Sequence, residues 1–218
     1  MGKFKPGPMG VVRGLIDTIV ASKWKDTYVV KGRPTRSNKP ATLQQAEQRL
    51  RFGLVTGLMK RLRYIITVGY QNSGKNLTPM NAASQYHLAN AVTGIYPDYL
   101  LDFTKLKISN GNESSLDEAW LPKVTAGAGA TVTVSWEVSK YPGKTSSGTD
   151  KITILFYDVE KDKFITLESA ATRSELTKTE ELPEVYVGDS LHCYIMMVSA
   201  DQKRVSGSQY LGLVKILA

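Results

Sequence analysis

The chain has 218 residues, of which 42% are hydrophobic and 22% charged, so it holds enough apolar surface to fold and is not disordered throughout. Its single cysteine, Cys193, excludes an internal disulfide and a cysteine-rich zinc site, and the two histidines leave little material for a histidine-based metal site. The formal net charge of +8 favours an acidic partner.

The positive charge is concentrated in the first third of the chain. Residues 1–63 carry 14 Lys and Arg against 3 Asp and Glu, whereas residues 64–218 carry 14 against 17. A basic segment is therefore attached to a mildly acidic body, which indicates that the segment meets something negative. A solvated basic face, or pairing with the acidic body of a neighbouring copy, is the alternative explanation.

Signals for targeting and for membranes are weak. Arg13 and Asp17 interrupt the apolar stretch that follows the basic N-terminus, although a signal peptide needs an unbroken one. No run approaches the roughly 18 apolar residues of a membrane span. We expect a protein that is cytoplasmic as synthesised, that has no membrane partner, and that resides in the virion if a phage encodes it.

The N-terminal residues favour extended structure. Between Met9 and Val30 the apolar residues are mostly β-branched or aromatic and glycines punctuate them, which predicts two extended segments forming a β-hairpin. Residues Lys31 to Pro40 follow as an irregular basic loop, because Pro34 and Pro40 disfavour helix before them.

Two helices are predicted next. Thr42 and Gln45 form a capping-box pattern, and the apolar residues that follow fall on one arc of a helix reaching about Val68. Arg51 and Arg61 lie inside that arc and should extend to solvent or meet a partner. Thr78 and Pro79 predict the start of a second helix, which Gly94 should end.

The second half of the chain changes to a period of two. Turn residues separate short apolar segments, which is typical of an immunoglobulin-like β-sandwich. Cys193 and His192 should point to opposite faces of one strand, since neighbours on a strand alternate. The predicted strands are Lys105–Ser109, Thr131–Val138, Lys151–Asp158, Lys163–Leu167, Leu191–Ser199 and Gln209–Ile216.

Trp136 in an early strand and the later stretches Leu191–Val198 and Ser199–Ser208 resemble those of a fibronectin type III domain or a related immunoglobulin-like domain. This resemblance covers residues 120–218. It implies an adhesive or spacing module, although a fold does not by itself fix a function.

Catalytic patterns fail on specific residues. The sequence Gly69–Lys75 approaches a phosphate-binding loop, but Asn76 replaces the hydroxyl residue that would hold magnesium. Cys193 and His192 cannot form a dyad from opposite faces of a strand, so we expect Cys193 to be a buried structural thiol. We expect His87 to pack within the second helix or to lie at its surface.

The acidic clusters indicate solvated turns better than active sites. Asp117 and Glu118 are adjacent, as are Glu180 and Glu181, and adjacent acids in loops are usually solvated, whereas a glycosidase needs two carboxyls that face one cleft. The alternating acids of residues 158–162 are interleaved with lysines and lack the glycine and final glutamate of a calcium loop. We therefore predict no metal and no cofactor.

The basic segment remains the strongest candidate for a binding surface. We expect six cations to contact the partner, with Trp24 and Tyr28 nearby. If all six met phosphates, log affinity would fall with log salt at a slope of about −5, but no known nucleic-acid-binding motif supports that reading. The six are Arg33, Arg36, Lys39, Arg49, Lys60 and Arg63.

Motifs along the whole chain are similar to those of an uncharacterised family that is common in Bacteroidota. They include RPxxSNKP at residues 33–40, Thr78–Ala83, Gly94–Tyr99, and SADxxxVSxSQYLG at residues 199–212. The resemblance extends from end to end. That family has no established activity or catalytic residues to transfer, so the resemblance supports the fold and leaves the function open.

These observations predict an α+β protein with residues 1–98 as a basic arm, hairpin and two-helix segment, followed by an immunoglobulin-like, fibronectin III-like sandwich over residues 99–218. We expect a non-enzymatic structural or interaction protein that is a component of a larger assembly such as a phage virion. Its basic segment would dock onto a protein partner or a second copy, with no small-molecule substrate. A nucleic-acid-binding accessory protein is the second hypothesis.

Overall fold

The structure is a computed structural model. It describes residues 2–6, 10–24, 26–35, 39–74, 77–111, 116–141 and 143–218. The chain divides into two compact units, residues 1–43 (unit 1) and residues 44–218 (unit 2). Our sequence analysis divided the chain at residues 98 and 99 instead, so the helical segment that it gave to the N-terminal part lies in unit 2.

Unit 1 is a four-stranded antiparallel sheet in the order β1-β4-β3-β2. The predicted hairpin is its central pair, β3 and β4. One short strand extends the sheet on each side, β1 beside β4 and β2 beside β3. Among the described residues of unit 1, the buried apolar side chains are those of Ala21 and Val29. The strands are β1 (Gly2–Phe4), β2 (Gly14–Ile16), β3 (Ile19–Trp24) and β4 (Thr27–Gly32).

The predicted first helix is two helices, α1 (Leu43–Arg61) and α2 (Arg63–Gly69). The break falls at Leu62, whose φ of −87° and ψ of 15° leave the helical region while its side chain is buried. Helix α2 also buries Ile65 and Ile66. Sequence periodicity indicated the apolar face but contained no signal, such as proline, for the break.

Helix α3 (Pro79–Asn90) begins as predicted, because the Thr78 side chain accepts a hydrogen bond from the Asn81 amide at 3.2 Å. It ends four residues before Gly94. The residues after it form a hairpin of β5 (Val92–Ile95) and β6 (Asp98–Leu101).

The strand predicted at Lys105–Ser109 is wrong. A 3₁₀ turn covers Phe103–Lys105, and the following amides bond to side chains rather than to a neighbouring strand. The Lys107 amide donates to His87 Nε2 at 3.1 Å, and the Ile108 amide donates to Ser208 Oγ at 3.0 Å. The alternation of this segment reflects burial of Leu106 and Ile108 and not sheet pairing.

The remaining strands form an immunoglobulin-like sandwich. A three-stranded sheet has the order β11-β8-β7, and a four-stranded sheet has the order β10-β9-β12-β13. With the strands lettered along the chain, these orders are E-B-A and C′-C-F-G, the arrangement of a fibronectin III-like domain. The strands are β7 (Trp120–Ala126), β8 (Thr131–Glu137), β9 (Lys151–Asp158), β10 (Lys163–Thr172), β11 (Thr177–Glu181), β12 (Ser190–Val198) and β13 (Gln209–Lys215).

The four-stranded sheet is buried on both faces. Phe156, Cys193 and Met197 pack between the two sheets in one core. Leu155 and Tyr194 belong to a second core that the helices cover. Unit 2 therefore has three layers: a sheet, a shared sheet and a layer of helices. The predicted alternation of Cys193 with its neighbours is confirmed, and each face has its own partner layer.

Candidate interaction surface

Strand register assigns the side chains of unit 1 to two faces. Val29 pairs with Lys3 on one side and with Ser22 on the other, while Val20 pairs with both Lys31 and Leu15. Directly paired residues of an antiparallel sheet point to the same face. Lys3 and Lys31 therefore share a face with Leu15, and the exposed Trp24 joins them through its pairing with Thr27. We call Lys3, Leu15, Trp24 and Lys31 the basic face.

The basic face exposes large apolar groups together with cations. Trp24 is 56% exposed and Leu15 is 55% exposed, and both lysines are exposed. A sheet that buries few of its apolar side chains while exposing several is typical of a surface that binds another molecule.

Aromatic side chains occupy the opposite face. Phe4 and Tyr28 lie 5.7 Å apart between ring centroids, and Lys23 Nζ lies 5.3 Å from the centre of the Tyr28 ring. This cation–π contact keeps Lys23 close to the sheet, so the second face is also positively charged. Residues 1–43 carry nine Lys and Arg against two Asp and Glu, which gives unit 1 a formal charge of +7.

The six predicted contact residues are divided between the units. In unit 1, Arg33 follows β4 and its amide donates to the Thr18 carbonyl oxygen at 2.7 Å, and Lys39 is exposed. Arg36 lies outside the described residues. In unit 2, Arg49 and Lys60 are exposed on α1, and Arg63 is the exposed first residue of α2.

Arg49 and Lys60 are eleven residues apart, which is close to three helical turns, so they project from the same side of α1. The two cations that we expected to extend from the apolar arc do find partners. Arg51 Nη2 donates to the Leu88 carbonyl oxygen at 3.0 Å, and Arg61 forms an ion pair with Asp162. Both therefore tie α1 to neighbouring elements of unit 2.

Sequence reasoning missed Lys3 and Lys31 as candidates. They come together because β1 and β3 pair with β4 on opposite sides, and that arrangement depends on register. The alternation of residues 27–32 could have indicated that Lys31 shares a face with Val29, but no local pattern places Lys3 beside them.

The histidines serve structural contacts. His87 is fully buried; its Nδ1 donates to the Ala83 carbonyl oxygen at 2.7 Å, and its Nε2 accepts from the Lys107 amide. Burial lowers the pKa of His87, so the neutral ring that this pair of bonds requires is favoured. Burial also lowers the pKa of His192, whose Nδ1 lies 2.8 Å from the Tyr210 hydroxyl.

Cys193 is fully buried between the sheets, and burial raises the pKa of its thiol. A reactive cysteine must be accessible to solvent and must ionise readily to the thiolate. The Cys193 side chain is inaccessible, and its raised pKa disfavours the thiolate. The interpretation of this residue as a buried structural thiol fits its position.

The acidic residues have local partners. Asp158 Oδ1 accepts from the Glu160 and Lys161 amides at 2.9 and 3.1 Å, which shapes the turn between β9 and β10. Glu180 pairs with Lys178 at 3.0 Å. In the described part of the chain, no group of three or more metal-ligating side chains is placed to hold an ion.

A groove of about 660 Å³ lies on unit 2 between α1, β6 and the end of β9. Gly53 and Gly57 leave its α1 side open, and Leu100 and Tyr157 contribute to its lining. The groove offers contact area, and its lining also includes Arg61 and Asp162, which form an ion pair with each other. Among the described helices, none combines the length and the hydropathy that crossing a bilayer requires.

The chain was compared with family models and with curated proteins. A model described as a family of unknown function (DUF6266) matches residues 11–212. No curated protein matches the chain.

Solved structures are similar at low identity. The twitchin kinase region from C. elegans is 16% identical with a TM-score of 0.36, over 47% of this chain and 17% of that one. A structure titled as a myokine is 15% identical with a TM-score of 0.34, over 48% of this chain and 100% of the other. The fn3 domain of human collagen alpha-1(XX) is 11% identical with a TM-score of 0.34, over 50% and 92% of the two chains.

Proposed function

The chain belongs to the family of unknown function DUF6266, and we propose that it is a non-enzymatic structural component that docks onto an acidic protein surface through unit 1. The observation that carries this proposal is that unit 1 has a charge of +7 over 43 residues and that its sheet exposes Trp24 and Leu15 on the same face as Lys3 and Lys31. Positive charge steers the encounter with an acidic surface, and the exposed apolar side chains supply contact area once charge has brought the partners together.

Unit 2 fits the role of a rigid support. Its central sheet is packed on both faces, His87 and Cys193 are fully buried, and the half-buried His192 contacts the Tyr210 hydroxyl. A multi-subunit particle such as a virion is the setting that we propose, because there a scaffold contributes position and contact area without chemistry.

The test measures binding of the full chain to poly-L-glutamate, a defined acidic polypeptide, with tryptophan fluorescence as the signal, because Trp24 is exposed on the basic face. The variant Lys3→Glu/Lys31→Glu changes the charge of unit 1 from +7 to +3, and we expect its affinity to fall about tenfold or more. The variant Lys144→Glu/Lys203→Glu makes the same change on exposed residues of unit 2 and should bind like the parent. Equal losses in both variants would contradict docking through unit 1.

Nucleic-acid binding is the second candidate, because the exposed Trp24 shares a face with two lysines. An indole can stack on a base while lysines contact phosphates. Titration with duplex and single-stranded DNA under the same conditions separates the two. Tighter binding to DNA than to poly-L-glutamate, with a steep fall at higher salt, would favour this candidate. Failure to bind either polymer at low salt would overturn both.

A further inference from the structure

The edge strand β2 presents unpaired backbone groups. Among the described strands it pairs with β3 alone, with Ile16 paired to Ile19 across the two-residue turn Asp17–Thr18. In such a hairpin the pair next to the turn exchanges both hydrogen bonds, so the next pair, Leu15 and Val20, exchanges none. The N–H and C=O of Leu15 therefore point away from β3, toward the open edge.

β2 is short, with three residues, but it lacks the other features that commonly protect an edge. Lysine, proline or an inward-pointing charge commonly prevents an edge strand from pairing with another chain. β2 consists of Gly14, Leu15 and Ile16, and its residues are exposed, Ile16 at 45%. Among the described residues, no hydrogen bond joins another segment to the outer side of Leu15.

Charges of opposite sign flank the strand at equal distances from its centre. Arg13 precedes Leu15 by two residues and Asp17 follows it by two, and both are exposed. An antiparallel copy of the same strand, related by a two-fold axis at Leu15, would bring each Arg13 beside the other copy's Asp17. Opposite charges in cross-strand positions are stabilising, and like charges there are destabilising.

We propose that unit 1 forms a homodimer through β2, antiparallel to β2 of a second copy, with the two-fold axis between the two Leu15 residues. Each Leu15 donates its N–H to the other and accepts in return. Ile16 lies opposite Gly14 of the second copy, where the missing side chain leaves room. Two Arg13–Asp17 pairs close the ends, and the two sheets become one of eight strands. A two-fold interface of this kind uses one patch on both copies.

The first experiment is sedimentation velocity over a concentration series with charge-swapped variants. Arg13→Glu or Asp17→Lys alone places like charges at both ends of the paired strands, and we expect each to raise the dimer Kd about tenfold. Combining Arg13→Glu with Asp17→Lys restores complementarity and keeps the net charge, so the double variant should dimerise like the parent. A parent that stays monomeric, or single variants that dimerise normally, would overturn the proposal.

A second measurement does not depend on the turn at Asp17 tolerating lysine. A nitroxide label is placed at Leu15→Cys or at Lys31→Cys, and labelling is specific because Cys193, the one native cysteine, is fully buried. Across the dimer the two positions 15 lie about 5.5 Å apart between Cα atoms. The two positions 31 are separated by five strand spacings, about 24 Å.

We expect strong dipolar broadening from the label at position 15 and weak broadening from the label at position 31. Equal broadening at the two positions, or none at either, would contradict pairing through β2. The charge variants also separate this inference from the proposed function, since Arg13→Glu or Asp17→Lys alone should weaken the dimer while leaving the residues of the basic face in place. Lys3→Glu/Lys31→Glu should weaken binding to poly-L-glutamate and leave the dimer in place.

Discussion

Gly69 illustrates a position where one added methyl group decides stability. It is the last residue of α2, and its carbonyl oxygen accepts a hydrogen bond from the Asn110 amide at 3.1 Å. A Cβ at this position would overlap the Ile108 carbonyl oxygen and lie 2.8 Å from Ser109 Cα. Since both are backbone atoms of a buried segment, they cannot move aside cheaply.

We predict that Gly69→Ala lowers the free energy of unfolding by about 1–3 kcal/mol, the usual cost of overpacking. Gly53→Ala is the matched control, because Gly53 also lies in a helix but nothing stands within 4 Å of its added Cβ. That control should gain about 0.5–1 kcal/mol from helix propensity. Urea unfolding measures both, and effects of the same sign would contradict this account of Gly69.

Elements of the sandwich are joined at one end by the Arg173 side chain. Its Nε donates to Asp150 Oδ2 at 3.1 Å and its Nη2 donates to the Asp117 carbonyl oxygen at 2.7 Å. Trp136 Nε1 in turn donates to the Arg173 carbonyl oxygen at 2.8 Å. The ion pair is shielded from solvent, since the two side chains are 16% and 3% exposed. One guanidinium thus links residues that precede β7, β9 and β11.

We predict that Arg173→Met costs about 3–5 kcal/mol, because it leaves the buried Asp150 carboxylate without its cation. Arg173→Lys should recover little of this, since an ammonium cannot reproduce the planar fork of donors. Lys178→Met removes an ion pair whose side chains are 31% and 37% exposed and should cost at most about 1 kcal/mol. Thermal or urea unfolding of the three variants distinguishes these cases. Similar losses of unfolding free energy at positions 173 and 178 would contradict a special stabilising role for the shielded Arg173–Asp150 ion pair.

At the scale of the whole molecule, unit 2 is a three-layer body whose middle layer belongs to two cores. Leu155 faces the helices and Ile154 faces the second sheet, although they are neighbours on β9. Loss of packing on either side of this strand therefore reaches both cores. Unit 1, by contrast, is a thin sheet with little interior of its own, which suits it to complete its packing against another molecule.

We predict that Leu155→Ala and Ile154→Ala each lower the free energy of unfolding by about 2–5 kcal/mol in a single transition. A Trp24→Phe background confines the tryptophan signal to Trp120 and Trp136 of unit 2. The midpoint from that signal should coincide with the midpoint from helical circular dichroism. Loss of helix at lower urea than loss of fluorescence would mean that the layers unfold separately.

Several local features were predictable because their signals lie within a few residues. Thr78 and Pro79 predicted the start of α3, and the period of two predicted that Cys193 and His192 separate onto different faces. Strands β8, β9, β10, β12 and β13 were recognised since they contain β-branched and aromatic residues. The edge strands β7 and β11 escaped prediction because Pro122 and a run of charged residues suit a sheet edge but weaken the strand signal.

The sequence by itself determined the basic front of the chain, the sandwich class and the structural character of Cys193, since charge and alternation are local properties. The tertiary structure alone decided that the helices cover the second face of the shared sheet and that Lys107 bonds to His87 instead of a strand. It also brought Lys3 and Lys31 onto one face and left β2 at an open edge. These outcomes depend on contacts between residues far apart in the chain, which no local pattern encodes.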